Sequence, residues 1–257
     1  MIYVSEIAMD HHIESFRKIC YNFIYYKGYD EVIMSDNKIL DKLILLKDKD
    51  LTKDDVDFAR ICLSDKEPLV RAEAVSLICN SAFFNEKDIE RLLTLFDDDE
   101  MLVRIELYDG LSDCTNEVVI EKLKNAVYSE KDDIARSYAI EAWTDTIINS
   151  SSENRTFYKE INFIRSIQNI QRSEYTRLAC EYALYSFKVK GALQDILSFL
   201  ESEDYHIQCS VINSLIRILR KEDISETSRV LSEMLNKQPC RAVSGCIEEF
   251  FEQFCKN

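Results

Sequence analysis

Glycine and proline are nearly missing from this chain, at four and two of 257 residues. Average usage is roughly 7% and 5%, so the turn residues that many-stranded sandwiches and glycine-dependent nucleotide folds consume are not available. So little punctuation leaves an all-α chain as the reading. Histidine is also scarce, with only His11, His12 and His206. Adjacent His11 and His12 would point about 100° apart on a helix, so they cannot share a metal face. Nine cysteines occur without one C-x-x-C, and Cys240 and Cys246 stand six apart. Zinc-type spacing is therefore missing, and no metal or cofactor is expected. His-Glu-x-x-His, Gly-x-Ser-x-Gly and phosphate-binding glycine loops do not occur either, so no catalytic residue is assigned and the chain reads as a non-enzyme.

Long apolar runs are lacking as well. No stretch approaches the ~18 residues a membrane span needs, and Met1 to Glu6 lacks the basic and apolar regions of a signal peptide. An odd cysteine count without a leader points to a reduced, cytoplasmic protein. Most cysteines fall at apolar helical positions, where they serve as small hydrophobes.

Acidic residues are what the chain has in excess. Forty-seven Asp and Glu against 32 Lys and Arg give a net charge of −15. Such a surface repels nucleic acid and anionic lipid and suits a basic partner. The excess is uneven: residues 51–150 hold 23 acidic and 11 basic residues, whereas 151–200 hold 5 and 7. Hydrophobic residues at 46% still supply a core.

The strongest signal is internal repetition. An acidic turn followed by apolar-Arg-x-x-apolar occurs at Asp65 to Ala74, Asp98 to Leu107, Asp132 to Ala139 and Glu174 to Cys180. Degenerate copies follow at Asp204 to Val211 and Pro239 to Val243. Successive Arg positions lie 33, 32, 41, 31 and 33 residues apart, the long interval holding the polar run Asn149 to Asn154. Each period contains two amphipathic segments. The second carries apolar residues at +3, +6 and +7 from the Arg: Ala74, Leu77 and Ile78 in the first copy, Ala139, Ala142 and Trp143 in the third, Cys180, Ala183 and Leu184 in the fourth. The first segments carry Val56, Ala59 and Leu63, then Ile89, Leu92 and Phe96, then Val119, Leu123 and Ala126. One hairpin cannot bury both stripes alone; a stack of them can. In the last copy, Val243, Cys246, Ile247, Phe250 and Phe254 place the stripe about one residue earlier.

The acidic turn and Val-Arg-x-x-Ala pattern, best at Asp65 to Ala74 and clear around Arg104, Arg136 and Arg177, resembles the HEAT-like repeat family, including its short phycobilisome-lyase variant. The resemblance covers about residues 51–256 and implies an α-solenoid of five to six stacked helical hairpins over residues 51–257. Residues 1–50 fall outside the repeat and read as an atypical helical cap, with helices over His11 to Lys27 and Lys38 to Lys47. In that family the second helices line a concave surface, so positions +2, +5 and +9 from the Arg would line it here. Those positions include Glu73, Glu106, Asp109, Asp113, Tyr138, Glu141, Asp145 and Tyr182, an acidic band with tyrosines suited to a Lys/Arg-rich protein or peptide. Small acidic solenoids are similar to immunity or antitoxin proteins that cover basic nuclease toxins, so a toxin is one expected partner. The alternative is a bilin-lyase-like enzyme or ligand carrier, since the family also includes those. Its DNA glycosylases work on a basic face, the opposite of this charge.

The repeated arginines invite comparison with an anion-binding stripe. A structural ladder is the preferred reading, each arginine pairing with the acidic turn of its own or the adjacent repeat, as Arg71 with Asp65, Arg104 with Asp98 and Arg136 with Asp132, with Arg177 continuing the series.

Overall fold

A computed structural model describes residues 37–47, 49–152, 155–170 and 172–255. The helix expected over His11 to Lys27, with most of the 1–50 cap, lies outside them. Among the described residues there are thirteen α-helices and no strand. None of these helices is long and apolar enough to cross a membrane. The chain divides into two compact units, with Ser35–Val189 and Lys190–Asn257 on either side of the boundary.

The unit Ser35–Val189 contains α1 (Lys38–Leu46), α2 (Lys53–Cys62), α3 (Pro68–Cys79), α4 (Glu86–Leu92), α5 (Met101–Gly110), α6 (Glu117–Ser129), α7 (Asp133–Asn149), α8 (Tyr158–Ile170) and α9 (Glu174–Ser186). Local chemistry sets these starts. Thr52 and Asp55 form a capping box for α2, and Asn85 and Asp88 form another for α4. Asn116 and Asp132 cap α6 and α7 through their side chains, and Pro68 opens α3, where no N–H is needed. The polar run after Asn149 ends α7, as its composition predicts.

Packing in this unit follows the repeat. Helix α2 packs on α3, α6 on α7 and α8 on α9, while a 3₁₀ turn at Leu93–Asp97 carries α4 onto α5. The second helices also pack on one another in chain order, α3 on α5, α5 on α7 and α7 on α9, and α1 lies against α3. Every residue of the expected +3, +6 and +7 stripes in α3, α7 and α9 is buried. Trp143 on α7 sits edge-on to Phe163 and Phe187, filling the space between α7 and α8. Close approach has its own mark at Gly110, where a Cβ would come within 2.8 Å of the Cys79 sulfur.

The unit Lys190–Asn257 contains α10 (Ala192–Ser198), α11 (Tyr205–Ile218), α12 (Ile224–Asn236) and α13 (Arg241–Phe254). Gly191, at φ 92°, turns the chain into α10 in a conformation that other residues rarely adopt. Helix α10 continues through a 3₁₀ turn at Phe199–Glu201 onto α11, α12 packs on α13, and α11 packs on α13. Val243, Cys246, Ile247 and Phe250 are buried, so the one-residue shift of the last stripe is real.

Candidate functional site

The repeated arginines reach the acidic turn of the next repeat, one of the two expected arrangements, in place of the named pairs Arg71–Asp65 and Arg104–Asp98. Arg71 donates through Nε and Nη2 to both carboxylate oxygens of Asp98, 27 residues later, at 2.8 and 2.7 Å. Its Nη1 donates to the backbone carbonyl of Asp65 at 2.9 Å. Arg104 repeats the grip on Glu130, at 2.8 and 2.9 Å, and donates to the carbonyl of Asp98 at 2.7 Å. Asp98 and Glu130 each offer their carbonyl to the arginine of their own turn and their carboxylate to the preceding one.

Glu130 is not among the expected partners, because Asp132 stands closer to Arg136 and has the look of that turn's acidic residue. Spacing finds it: Asp65 and Asp98 each stand six residues before their arginine, and Glu130 stands six before Arg136. Asp132 caps α7 instead, accepting from the N–H groups of Ile134 and Ala135. Arg136 donates to the Glu130 carbonyl and pairs with Asp133 at 2.5 Å. Six residues before Arg177 comes Gln171, which is not acidic, and Arg177 lies exposed on α9. Another interhairpin clamp lies outside the repeated motif, with Arg60 on α2 gripping fully buried Asp88 on α4 at 2.7 Å through both Nε and Nη2.

Electrostatics follow from these contacts. Burial raises the pKa of Glu130, but Arg104 and the N–H groups of Asp132 and Lys131 outweigh it and hold the carboxyl below its ordinary 4.5. Asp98 is lowered in the same way by Arg71 and the Glu100 N–H, and Asp88 by Arg60, both against burial. Tyr108 donates to Glu130 at 3.0 Å, and its own pKa is pushed up, mainly by burial. The arginine–carboxylate pairs tie neighbouring hairpins together.

The presented face requires a larger correction. Glu73, Glu106, Glu141 and Tyr182 are only 3, 5, 9 and 1% exposed, so most of the +2 and +5 positions lie in the interior. A second helix here packs against its own first helix and against second helices on both sides, so three of its faces are occupied. Lys47 pairs with Glu73 at 2.5 Å, as a carboxylate this buried requires. The +9 positions, at the C-terminal ends of the second helices, are the open ones: Asn80 and Asp113 are exposed, and Asp145 and Ser186 are half-buried. Asp109 and Tyr138 are also half-buried. Asp145 accepts from the Tyr182 hydroxyl at 2.7 Å, and Asp113 accepts from Asn149 at 3.1 Å. Of the expected face, Asp109, Asp113 and Asp145 therefore keep some exposure, while Glu73, Glu106 and Glu141 are buried.

Among the described residues no cluster of His, Cys, Asp and Glu could hold a metal ion. No family model and no curated protein matches the chain.

Proposed function

We propose that this chain is a non-enzymatic protein-interaction module built of stacked HEAT-like hairpins, whose unit Ser35–Val189 receives a basic protein or peptide. The observation that supports it most is the placement of Asp109 in the last turn of α5, Asp113 in the turn that follows it and Asp145 one turn before the end of α7. A helix C-terminus already carries about half a negative charge. Carboxylates there add to that negative end and suit a cationic surface. The net acidic excess of residues 51–150, 23 acidic against 11 basic, extends the same field and speeds encounter with such a partner. An immunity- or antitoxin-type role, covering a basic toxin in the cytoplasm, is the form of this reading that the charge favours.

The test is capture of partners at low and moderate salt by the wild-type chain and by two charge-reversed variants. One carries Asp109, Asp113 and Asp145 changed to Lys; the other carries Glu222, Glu226 and Glu233 changed to Lys. A single stoichiometric basic partner, lost with the first variant and kept with the second, is the expected result. Equal loss in both would mean that net charge alone acts, and a co-purified small molecule in place of a protein would overturn the reading.

A further inference from the structure

In the unit Lys190–Asn257, helices α11 and α13 run in matched register with an offset of 37 residues. The Gln253 side chain donates to the carbonyl of Ile216 at 3.3 Å. The same offset sets Cys209 on α11 opposite Cys246 on α13, and their thiols share a hydrogen bond. Both are buried. Neither side chain is needed as a polar group there, since a cysteine in a core packs as a small hydrophobe. Two sulfurs in contact across a helix pair nevertheless have one chemistry that an Ala or Val pair would lack.

We propose that Cys209 and Cys246 are an oxidative crosslinking site that staples α11 to α13 when peroxide reaches them. The Cys246 sulfur attacks one oxygen of hydrogen peroxide, the O–O bond breaks, and the leaving hydroxide takes up the thiol proton, giving a sulfenic acid and water. The Cys209 sulfur then attacks the sulfenic sulfur, the S–O bond breaks, and a second water leaves with the Cys209 proton. Two thiols are oxidised by two electrons and one peroxide is reduced to two waters.

The direction of attack follows from the shared hydrogen bond. Cys209 donates to the Cys246 sulfur, which favours the thiolate at Cys246 and holds the proton on Cys209. Access requires local opening of this unit: α12 buries only Thr227 and Leu231, while α13 buries Val243, Cys246, Ile247 and Phe250. Cys240 and Cys255 are exposed, and neither occupies the position opposite Cys209 that the register assigns to Cys246.

The deciding experiment treats the native wild-type chain with hydrogen peroxide and then alkylates it. The expected result is loss of two hydrogens from the intact mass, loss of two titratable thiols, and a non-reduced peptide joining Cys209 to Cys246. Reduction should restore both thiols. Cys209→Ser and Cys246→Ser should each abolish the linked peptide, and Cys240→Ser should keep it. A link through Cys240 or Cys255, or added oxygen on Cys246 without any crosslink, would overturn the proposal. So would thiols at both positions that persist until the chain is unfolded. The wild-type peptide map distinguishes these outcomes even if a serine variant folds poorly.

Discussion

The two units solve the same packing problem with different means. In Ser35–Val189, second helices are buried nearly all round and clamped by bidentate arginine–carboxylate contacts from Arg71 to Asp98 and from Arg104 to Glu130. In Lys190–Asn257, Gln208 stands where the arginine would be. It keeps the contact to the carbonyl six residues back, Ser202, at 2.7 Å, but it has no charge to offer a carboxylate. Around that neutral contact helix α11 buries Ile207, Cys209, Val211, Ile212, Leu215 and Ile216. The arginine adds a charge-dependent tie between hairpins, and the first unit should be the one whose stability responds to its removal and to acid.

Removing the tie should give the largest effect. Arg104→Ala leaves Glu130, nearly fully buried, with only Tyr108 and two backbone donors, and stranding a buried charge in this way costs about 3–5 kcal/mol. Gln208→Ala removes one neutral contact to a carbonyl and should cost about 0.5–1.5 kcal/mol. Denaturant unfolding followed by the emission of Trp143, the sole tryptophan and a residue of the first unit, measures the Arg104 variant; helical circular dichroism follows both. Equal costs for the two variants would break the comparison.

Tight approach of the second helices gives the next effect. Gly110→Ala drives a Cβ to 2.8 Å from the Cys79 sulfur and 2.9 Å from its Cβ, and overpacking of this kind costs about 1–3 kcal/mol. Cys79→Ala removes the sulfur and should recover part of that loss in the double variant. A double variant no more stable than Gly110→Ala would show that the strain lies elsewhere.

Acid should separate the units further. Glu130, Asp98 and Asp88 all sit below their ordinary values of 4.5, 3.8 and 3.8 in the folded chain. Their contribution is fully present above those unfolded values and is lost as pH falls through the lower folded ones. Stability read at Trp143 should therefore drop steeply below about pH 4.5, and Arg104→Ala should flatten that drop. An unchanged pH profile in the variant would remove Glu130 as its source.

How much of this is legible in the sequence depends on the kind of signal. The 33-residue intervals and the stripe Ala139, Ala142 and Trp143 are readable because burial repeats with the helical period. The ladder partners are harder, since a turn holding Glu130, Asp132 and Asp133 offers three carboxylates and only the six-residue spacing selects one. The presented face misleads for a different reason. A one-stripe reading assumes that a helix has one partner, yet α7 buries Arg136, Ser137, Glu141, Thr144 and Thr146 along with its apolar residues. Low amphipathic contrast, as in α7, is the mark of a helix surrounded by others. The amphipathic α12 shows what a one-sided helix looks like.

The smallest expected effect tests that last contrast. On α12, Arg229 and Glu233 form an i,i+4 pair at 2.7 Å with both side chains more than half exposed. Solvent screens such a pair and both chains lose rotamer freedom to make it, so it contributes about 0.3–0.5 kcal/mol. Arg229→Ala, which also gains helix propensity, should leave unfolding of the second unit nearly unchanged and independent of salt. The arginine-to-alanine change is chemically the same as at position 104; only burial and the partner's hydrogen bonds differ. A loss at Arg229 approaching that at Arg104 would mean that charge, rather than its burial between hairpins, determines stability in both units.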